Sequence, residues 1–152
     1  MLFSEAKRHP VMSTDSATTI GRLDRFVVDP ATMSVIALQL KKTEGDGDTL
    51  HWGDQLAFGP DAITVEGPDV IVSAHGRAAE LIARDCELLN KRVLTDGGTE
   101  IGKIKDIDFD PDTGHVQLLV TDRGDLPGER LVGCGSYAVV VSVGTTETKG
   151  ET

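Results

Sequence analysis

The stretch TDGGTEIGKIKDIDFDPDTGHVQLLVT, Thr95 to Thr121, decides the reading of this chain because it occurs twice. Moved back by 102 − 21 = 81 positions, it falls on TDSATTIGRLDRFVVDPATMSVIALQL, Thr14 to Leu40. The shift pairs Thr14 with Thr95, Asp15 with Asp96, Ile20 with Ile101, Gly21 with Gly102 and Leu23 with Ile104. It also pairs Asp29-Pro30 with Asp110-Pro111, Thr32 with Thr113, Val35 with Val116 and Leu38 with Leu119. An internal repeat outranks any local signal, since it dictates the architecture. Each copy predicts the same local chain. Asp-Pro opens a turn in which proline's fixed φ suits the second position. The β-rich runs Val35 to Leu40 and Val116 to Thr121 follow, completing a hairpin. Gly21 and Gly102 lie inside the preceding apolar segments, where glycine marks a bulge or a sharply bent strand. Gly21, Asp29, Pro30, Gly102, Asp110 and Pro111 therefore form the structural motif of the repeat.

Outside the hairpins the copies diverge. In the first, Lys41 to Thr49 is a polar loop, followed by short strands at Leu50-His51-Trp52 and Ala62 to Val65. In the second, Thr121 to Glu129 stands as the matching loop, with Arg130-Leu131-Val132 as the strand paired with Leu50. The last strand runs from Tyr137 to Val143, where an offset of 138 − 62 = 76 implies a loss of five residues. Arg77 to Leu89 has no Pro or Gly and sets Ala78, Leu81, Ile82, Asp85, Leu88 and Leu89 along one helical stripe, interrupted at Asp85. The expected organisation is a first unit over 1–75, a connecting helix over 76–90, a second unit over 91–145 and a frayed tail over 146–152. The predicted class is all-β: two small barrels in tandem with one short helix between them. Both faces of the 35–40 run are apolar, which suggests that the two units bury a face against each other.

Composition sets limits. Hydrophobic residues make up 39% of the 152, so the chain is globular, while aromatics at 4% leave the core to Val, Ile, Leu and Ala. A formal charge of −10 disfavours direct binding to nucleic acid or to an anionic membrane and suits a basic partner. Cys86 and Cys134 lie far apart without a C-x-x-C pair, and read as free thiols in a reducing compartment. No apolar run at the start matches a signal peptide, and none approaches the ~18 to 20 residues of a membrane span. The expected location is cytoplasmic.

The second copy resembles the opening of a PRC-barrel domain. That family has a G-x-x-V start, a turn, G-x-[IV]-x-D and a D-x-x-x-G hairpin, and here Gly102-Lys103-Ile104-Lys105-Asp106 and Asp110-Pro111-Asp112-Thr113-Gly114 supply the later elements. The first copy is more divergent, with Arg25 where Asp106 stands. Its Leu50-His51-Trp52-Gly53-Asp54 and Phe58-Gly59-Pro60-Asp61-Ala62 resemble the family's P-W-E-D and G-x-D-A elements, whereas the second copy has no tryptophan. The resemblance implies small barrels like the cytoplasmic barrel of the photosynthetic reaction-centre H subunit and the C-terminal domain of a ribosome-maturation factor. It also implies docking modules without shared catalytic residues.

Motifs that mimic chemistry do not hold up. Gly97 to Ile104 fits G-x-x-x-x-G-K, but it ends in Ile where a phosphate loop needs Ser or Thr, and it leads into a strand. Asp106, Asp108, Asp110 and Asp112 fit no calcium-loop frame, and read instead as exposed acids on an edge strand that discourage stray pairing. His9, His51, His75 and His115 lack zinc spacing. No catalytic residue, metal or cofactor is expected. Candidate partner contacts are Trp52, the only tryptophan, which also suits a plug at the barrel end, and the loop residues Asp46, Asp48, Arg123 and Asp125. The expected role is a non-catalytic adaptor or assembly module for a protein partner, with a homodimer left open. The alternative is an RNA-processing or ribosome-maturation factor that acts through a basic protein.

Overall fold

The computed structural model describes residues 1–142, so the predicted tail over 146–152 and the end of the second unit lie outside the described residues. The first repeat holds β1 (Pro10–Ser13), β2 (Thr18–Asp29), β3 (Ser34–Lys41), β4 (Thr49–His51), β5 (Ala57–Phe58), β6 (Ile63–Val65) and β7 (Ile71–Val72). The second holds β8 (Arg92–Thr95), β9 (Glu100–Phe109), β10 (Val116–Thr121), β11 (Gly124–Pro127), β12 (Leu131–Cys134) and β13 (Val139–Val141). A short helix, α1 (Phe3–Ala6), precedes the first repeat, and α2 (Gly76–Ala83) lies between the two. The fold is all-β. The first sheet runs β5-β6-β1-β2-β3-β4-β7; the second runs β12-β13-β8-β9-β10-β11, the same order without the last strand.

The repeated hairpins agree pair by pair. Val28 opposes Val35, Val27 opposes Ala37, Phe26 opposes Leu38, Arg25 opposes Gln39 and Leu23 opposes Leu40. Eighty-one residues on, Phe109 opposes Val116, Asp108 opposes Leu118, Ile107 opposes Leu119, Asp106 opposes Val120 and Ile104 opposes Thr121. Both register shifts recur at the same places. Such bulges bend and twist a ladder, and here they give both hairpins one curvature. The turns agree too: Asp29 Oδ1 accepts from the Ala31 N–H at 2.9 Å and Asp110 Oδ1 from the Asp112 N–H at 2.8 Å.

Two parts of the register differ from the sequence alignment. Upstream of Gly21 and Gly102, Val11 pairs with Gly21 and Val93 with Gly102, an offset of 93 − 11 = 82, so the first turn carries one extra residue. Downstream, Leu38 opposes Leu50 while Leu119 opposes Leu126. The counterpart of Leu50 is therefore Leu126, not Leu131, and 126 − 50 = 76. Asp122 and Arg123 alone join β10 to β11, because Gly124 at φ +124° lets the chain reverse at once. The expected long loop to Glu129 is a tight hairpin. The acid-bearing β9 is also central rather than an edge, flanked by β10 and β8 and crossed by the N-terminal segment, where the Ser4 N–H donates to Asp106 Oδ1 at 3.1 Å.

The hairpin tips meet reciprocally. The Val35 N–H donates to the Gly114 carbonyl and the Val116 N–H to the Met33 carbonyl, each at 2.8 Å. Since 35 + 81 = 116 and 33 + 81 = 114, the two bonds exchange under a local two-fold axis through the Ser34–His115 bridge. Gly114 sits at φ +81°, and a Cβ there would lie 2.9 Å from the Val35 carbonyl oxygen and 3.0 Å from Trp52 Cε2. Only glycine allows this approach.

One core spans both sheets. All four phenylalanines of the chain gather in it. Phe3 stacks on Phe26 at 3.7 Å, and Phe109 meets Phe3, Phe26 and Phe58 edge-on at 5.2, 5.3 and 5.4 Å. The scarce aromatics are thus concentrated where the repeats join. Leu38 and Leu40 of β3 face this core, but Ala37 with Val27 packs under Ala78 and Leu81 of α2. The second apolar face of β3 is therefore covered by the helix and not by the sister repeat.

The helix stops at Ala83, short of the apolar stripe that runs to Leu89. Asp85 adopts φ +54°, its N–H donates to the Ile82 carbonyl at 3.0 Å, and the Cys86 N–H donates to the Leu81 carbonyl at 3.1 Å. This left-handed cap closes the last turn and carries Cys86 to Cys134 of β12. The two are joined in a disulfide with Cα atoms 5.1 Å apart. The expectation of free thiols is therefore corrected. The sequence separation of 48 hid a contact that the helix cap creates, and the case for a reducing, cytoplasmic compartment loses its support.

Candidate functional site

The predicted contact residues fall in three places. Antiparallel pairing at the Ser34–His115 bridge sends β3 and β10 away in opposite directions. Exposed Asp46 and Asp48, in the loop after β3, thus lie at one pole of the molecule, and exposed Arg123 and Asp125, after β10, at the other. The loop with Asp46 and Asp48 borders an open hollow of about 490 Å³ walled by Ser16, Thr18, Ile20, Thr43 and Ile71 among others. Trp52 sits between the poles. It opens a 3-10 turn after β4, stacks on Phe58 at 5.8 Å and meets Phe109 edge-on at 6.5 Å. It is part of the wall between the repeats.

Around Trp52 the structure assembles a groove of about 340 Å³ that the sequence did not announce as a unit. One wall is Trp52, Gly53 and the run Gln55 to Phe58 of the first repeat, and the other is Pro111 and Asp112 at the tip of the second hairpin. Leu56, 57% exposed, stands on its rim although it is a large apolar side chain. β5 lies at the end of its sheet, paired only with β6. Gln55 contributes an amide whose Oε1 is shielded from water yet makes no hydrogen bond. Such an orphan acceptor is costly unless an incoming group satisfies it. Trp52 has no aromatic counterpart in the other repeat. With the offset of 76, Gly128 stands where Trp52 does, and a Cβ at Gly128 would overlap the Val116 carbonyl oxygen.

Charges near the groove are of one sign. Asp112 lines it, no Lys or Arg does, and the Asp112 carboxylate is in no ion pair among the described residues. Cations elsewhere are held back. Lys41 lies 3.9 Å from Asp24, Arg92 lies 3.6 Å from Glu100, and Lys91 donates to the carbonyls of Asp85 and Gly135 at 2.7 and 2.9 Å. Lys41, Lys91 and Arg92, three of the cations that an RNA surface would need, thus have local partners.

Behind the groove, two ionisable groups fasten α2. Arg77 donates from Nε and Nη2 to the Asp29 carboxylate at 3.3 and 3.2 Å. Burial raises the Asp29 carboxyl, but the bonds from Arg77 and the Ala31 N–H and the charges of Arg77 and Arg84 outweigh it, holding it below its ordinary 3.8. Asp29 thus holds the helix as well as its own turn. The ring of His75, just before α2, lies 4.1 Å from that of His51 and tilted by 32° to it, a pairing invisible in their spacing. Burial first, and then the charge on His75, hold His51 below its ordinary 6.5 against the opposing pull of Asp54. A depressed histidine contributes stability that is present above 6.5 and is lost as pH falls through its folded value. We expect stability to decline between about pH 7 and pH 5, and His51→Gln to flatten that decline. Urea midpoints at the two pH values would measure it; an unchanged slope in the variant would acquit His51. Among the described residues no cluster of three or more His, Cys, Asp or Glu could hold a metal ion, and no helix is long and apolar enough to cross a membrane.

Taken together, a duplicated antiparallel hairpin module with one open groove at its junction defines a small β scaffold. Residues 81–147 match the family model of the PRC-barrel domain. The first half carries the same strand order and hairpin register. Among curated proteins none matches the chain.

Proposed function

We propose that this chain is a non-catalytic adaptor that holds a protein partner in the groove between its two repeats. The observation that carries this reading is the exposed Leu56 in the groove with Trp52, just before the end strand β5, an apolar rim that folding leaves without a cover. The PRC-barrel match supports an interaction or assembly role. The acidic surface favours a basic protein over nucleic acid and over a second, equally acidic copy of the chain. No group in the groove acts as a nucleophile with an adjacent base, which favours binding over catalysis. Capture from the source cell tests the proposal. The wild-type chain should retain a defined protein at low salt and release it at high salt, and Leu56→Glu should lose it. Equal retention by Leu56→Glu, or turnover of a small molecule abolished by groove variants, would overturn the reading.

A further inference from the structure

We infer that the open hollow beside the loop between β3 and β4 binds a small organic cation, an ammonium group carried on a hydrocarbon body. This goes beyond the adaptor reading and does not rest on it, since the hollow shares no lining residue with the groove at Trp52. The hollow arises where the first repeat departs from the second. Asp122 and Arg123 suffice to join β10 to β11, and the Asp122 carboxylate turns back to accept from the Lys103 N–H at 2.9 Å. In the first repeat the same connection takes residues 42–48, which is 7 − 2 = 5 more than that hairpin needs. The longer loop is anchored. Gly47 is pressed on β7, where a Cβ would lie 2.6 Å from the Val72 carbonyl carbon, and its own carbonyl accepts from Thr43 Oγ1 at 3.0 Å. The volume of about 490 Å³ falls within the range of about 300–1,000 Å³ that small-molecule sites occupy.

The lining selects the ligand. Ile20, Ile71 and Pro68 offer apolar surface to a hydrocarbon body. The polar atoms around them mostly accept. Thr43 has given its proton to the Gly47 carbonyl, and the Ser16 and Thr18 hydroxyls lie 2.7 Å apart, so one of their two protons goes to the other. Glu44 is exposed, only accepts when ionised, and is in no ion pair among the described residues. A ligand that fits must therefore bring donors, and an ammonium brings donors alone. An anion would meet Glu44 and no Lys or Arg in the lining. Nucleobases and other ligands held by ring stacking would meet no aromatic side chain there.

The probe is hexylamine, protonated at neutral pH, with hexanol and hexanoate as its neutral and anionic counterparts. Each is titrated into the isotope-labelled full chain, and amide shifts in NMR spectra report place and affinity. The amine should bind with a Kd on the order of a millimolar and move resonances of residues 16–20, 43–47 and 68–71. Hexanol should act more weakly at the same residues, and hexanoate not at all. Glu44→Gln should weaken the amine about fivefold, the size of one water-facing ion pair, and leave hexanol unchanged. Asp46→Asn removes the same charge from the same loop but outside the lining, and should weaken it far less. Both positions are exposed, so the variants keep the fold. Hexanoate binding as tightly as the amine, equal weakening by the two variants, shifts confined to other residues, or no binding would overturn the inference. Leu56→Glu, which tests the adaptor reading, should leave the amine's Kd unchanged.

Discussion

Replacing Phe109 by alanine should cost about 3–5 kcal/mol, the range for emptying a fully buried aromatic site. Phe109 has no exposed surface and touches phenylalanines from three separate segments, Phe3 of α1 and Phe26 and Phe58 of the first repeat. Its loss opens a cavity bounded by both sheets, which neither sheet can fill by local repacking. The loss should also be shared. Because one apolar cluster spans the repeats, the unfolding of one exposes the inner face of the other. Trp52 fluorescence and far-UV circular dichroism should therefore give coincident urea transitions in the wild type, and both should move together in the variant. Separate midpoints for the two signals, or a loss below about 1 kcal/mol, would show that the repeats are independent.

Cleaving the Cys86–Cys134 bond should produce an effect of similar size. The bond closes a loop with a sequence separation of 48, for which the chain-entropy model gives about 4 kcal/mol. It ties the end of α2 to β12, and α2 covers Val27 and Ala37 of the first sheet. Reduction would therefore loosen the helix from the first repeat as well as from the second. Urea unfolding with and without dithiothreitol measures the difference, and Cys86→Ala with Cys134→Ala should reproduce the reduced midpoint. If reduction left the midpoint unchanged, the bond would be irrelevant to stability. A thiol count of two in protein kept under oxidising conditions would show that the bond does not form.

The central hairpins were legible because their pattern is dense. Glycine, Asp-Pro and a branched-aliphatic run at one offset leave a single register that buries Phe26 and Ile107, Leu38 and Leu119 together. Reading failed where the side chains are permissive. Thr14-Asp15 and Thr95-Asp96 look alike on the page, but an extra residue in a polar turn changes no burial, so the shift to an offset of 82 left no trace. At Asp122-Arg123-Gly124 a turn signal was present, yet alignment to the longer first loop concealed it. The helix end was masked by apolar residues that continue past Asp85 and turn into the main core at Leu88. At the site, Trp52 stood out by rarity alone. Gln55, Leu56 and Asp112 did not, because their meaning comes from the meeting of the turn after β4 with the tip of the second hairpin, 112 − 52 = 60 residues further on.

That meeting has an evolutionary reach. Two identical chains joined through such a contact must place the same side chain on both sides of their axis, so an indole on one side imposes an indole on the other. Fusion into a single polypeptide lifts that constraint. Here one side carries the bulky ring of Trp52 and the other carries Gly128, pressed against the Val116 backbone. A symmetric ancestor would offer two equivalent clefts or none; the fused molecule can shape one alone and give its single occupant a fixed direction.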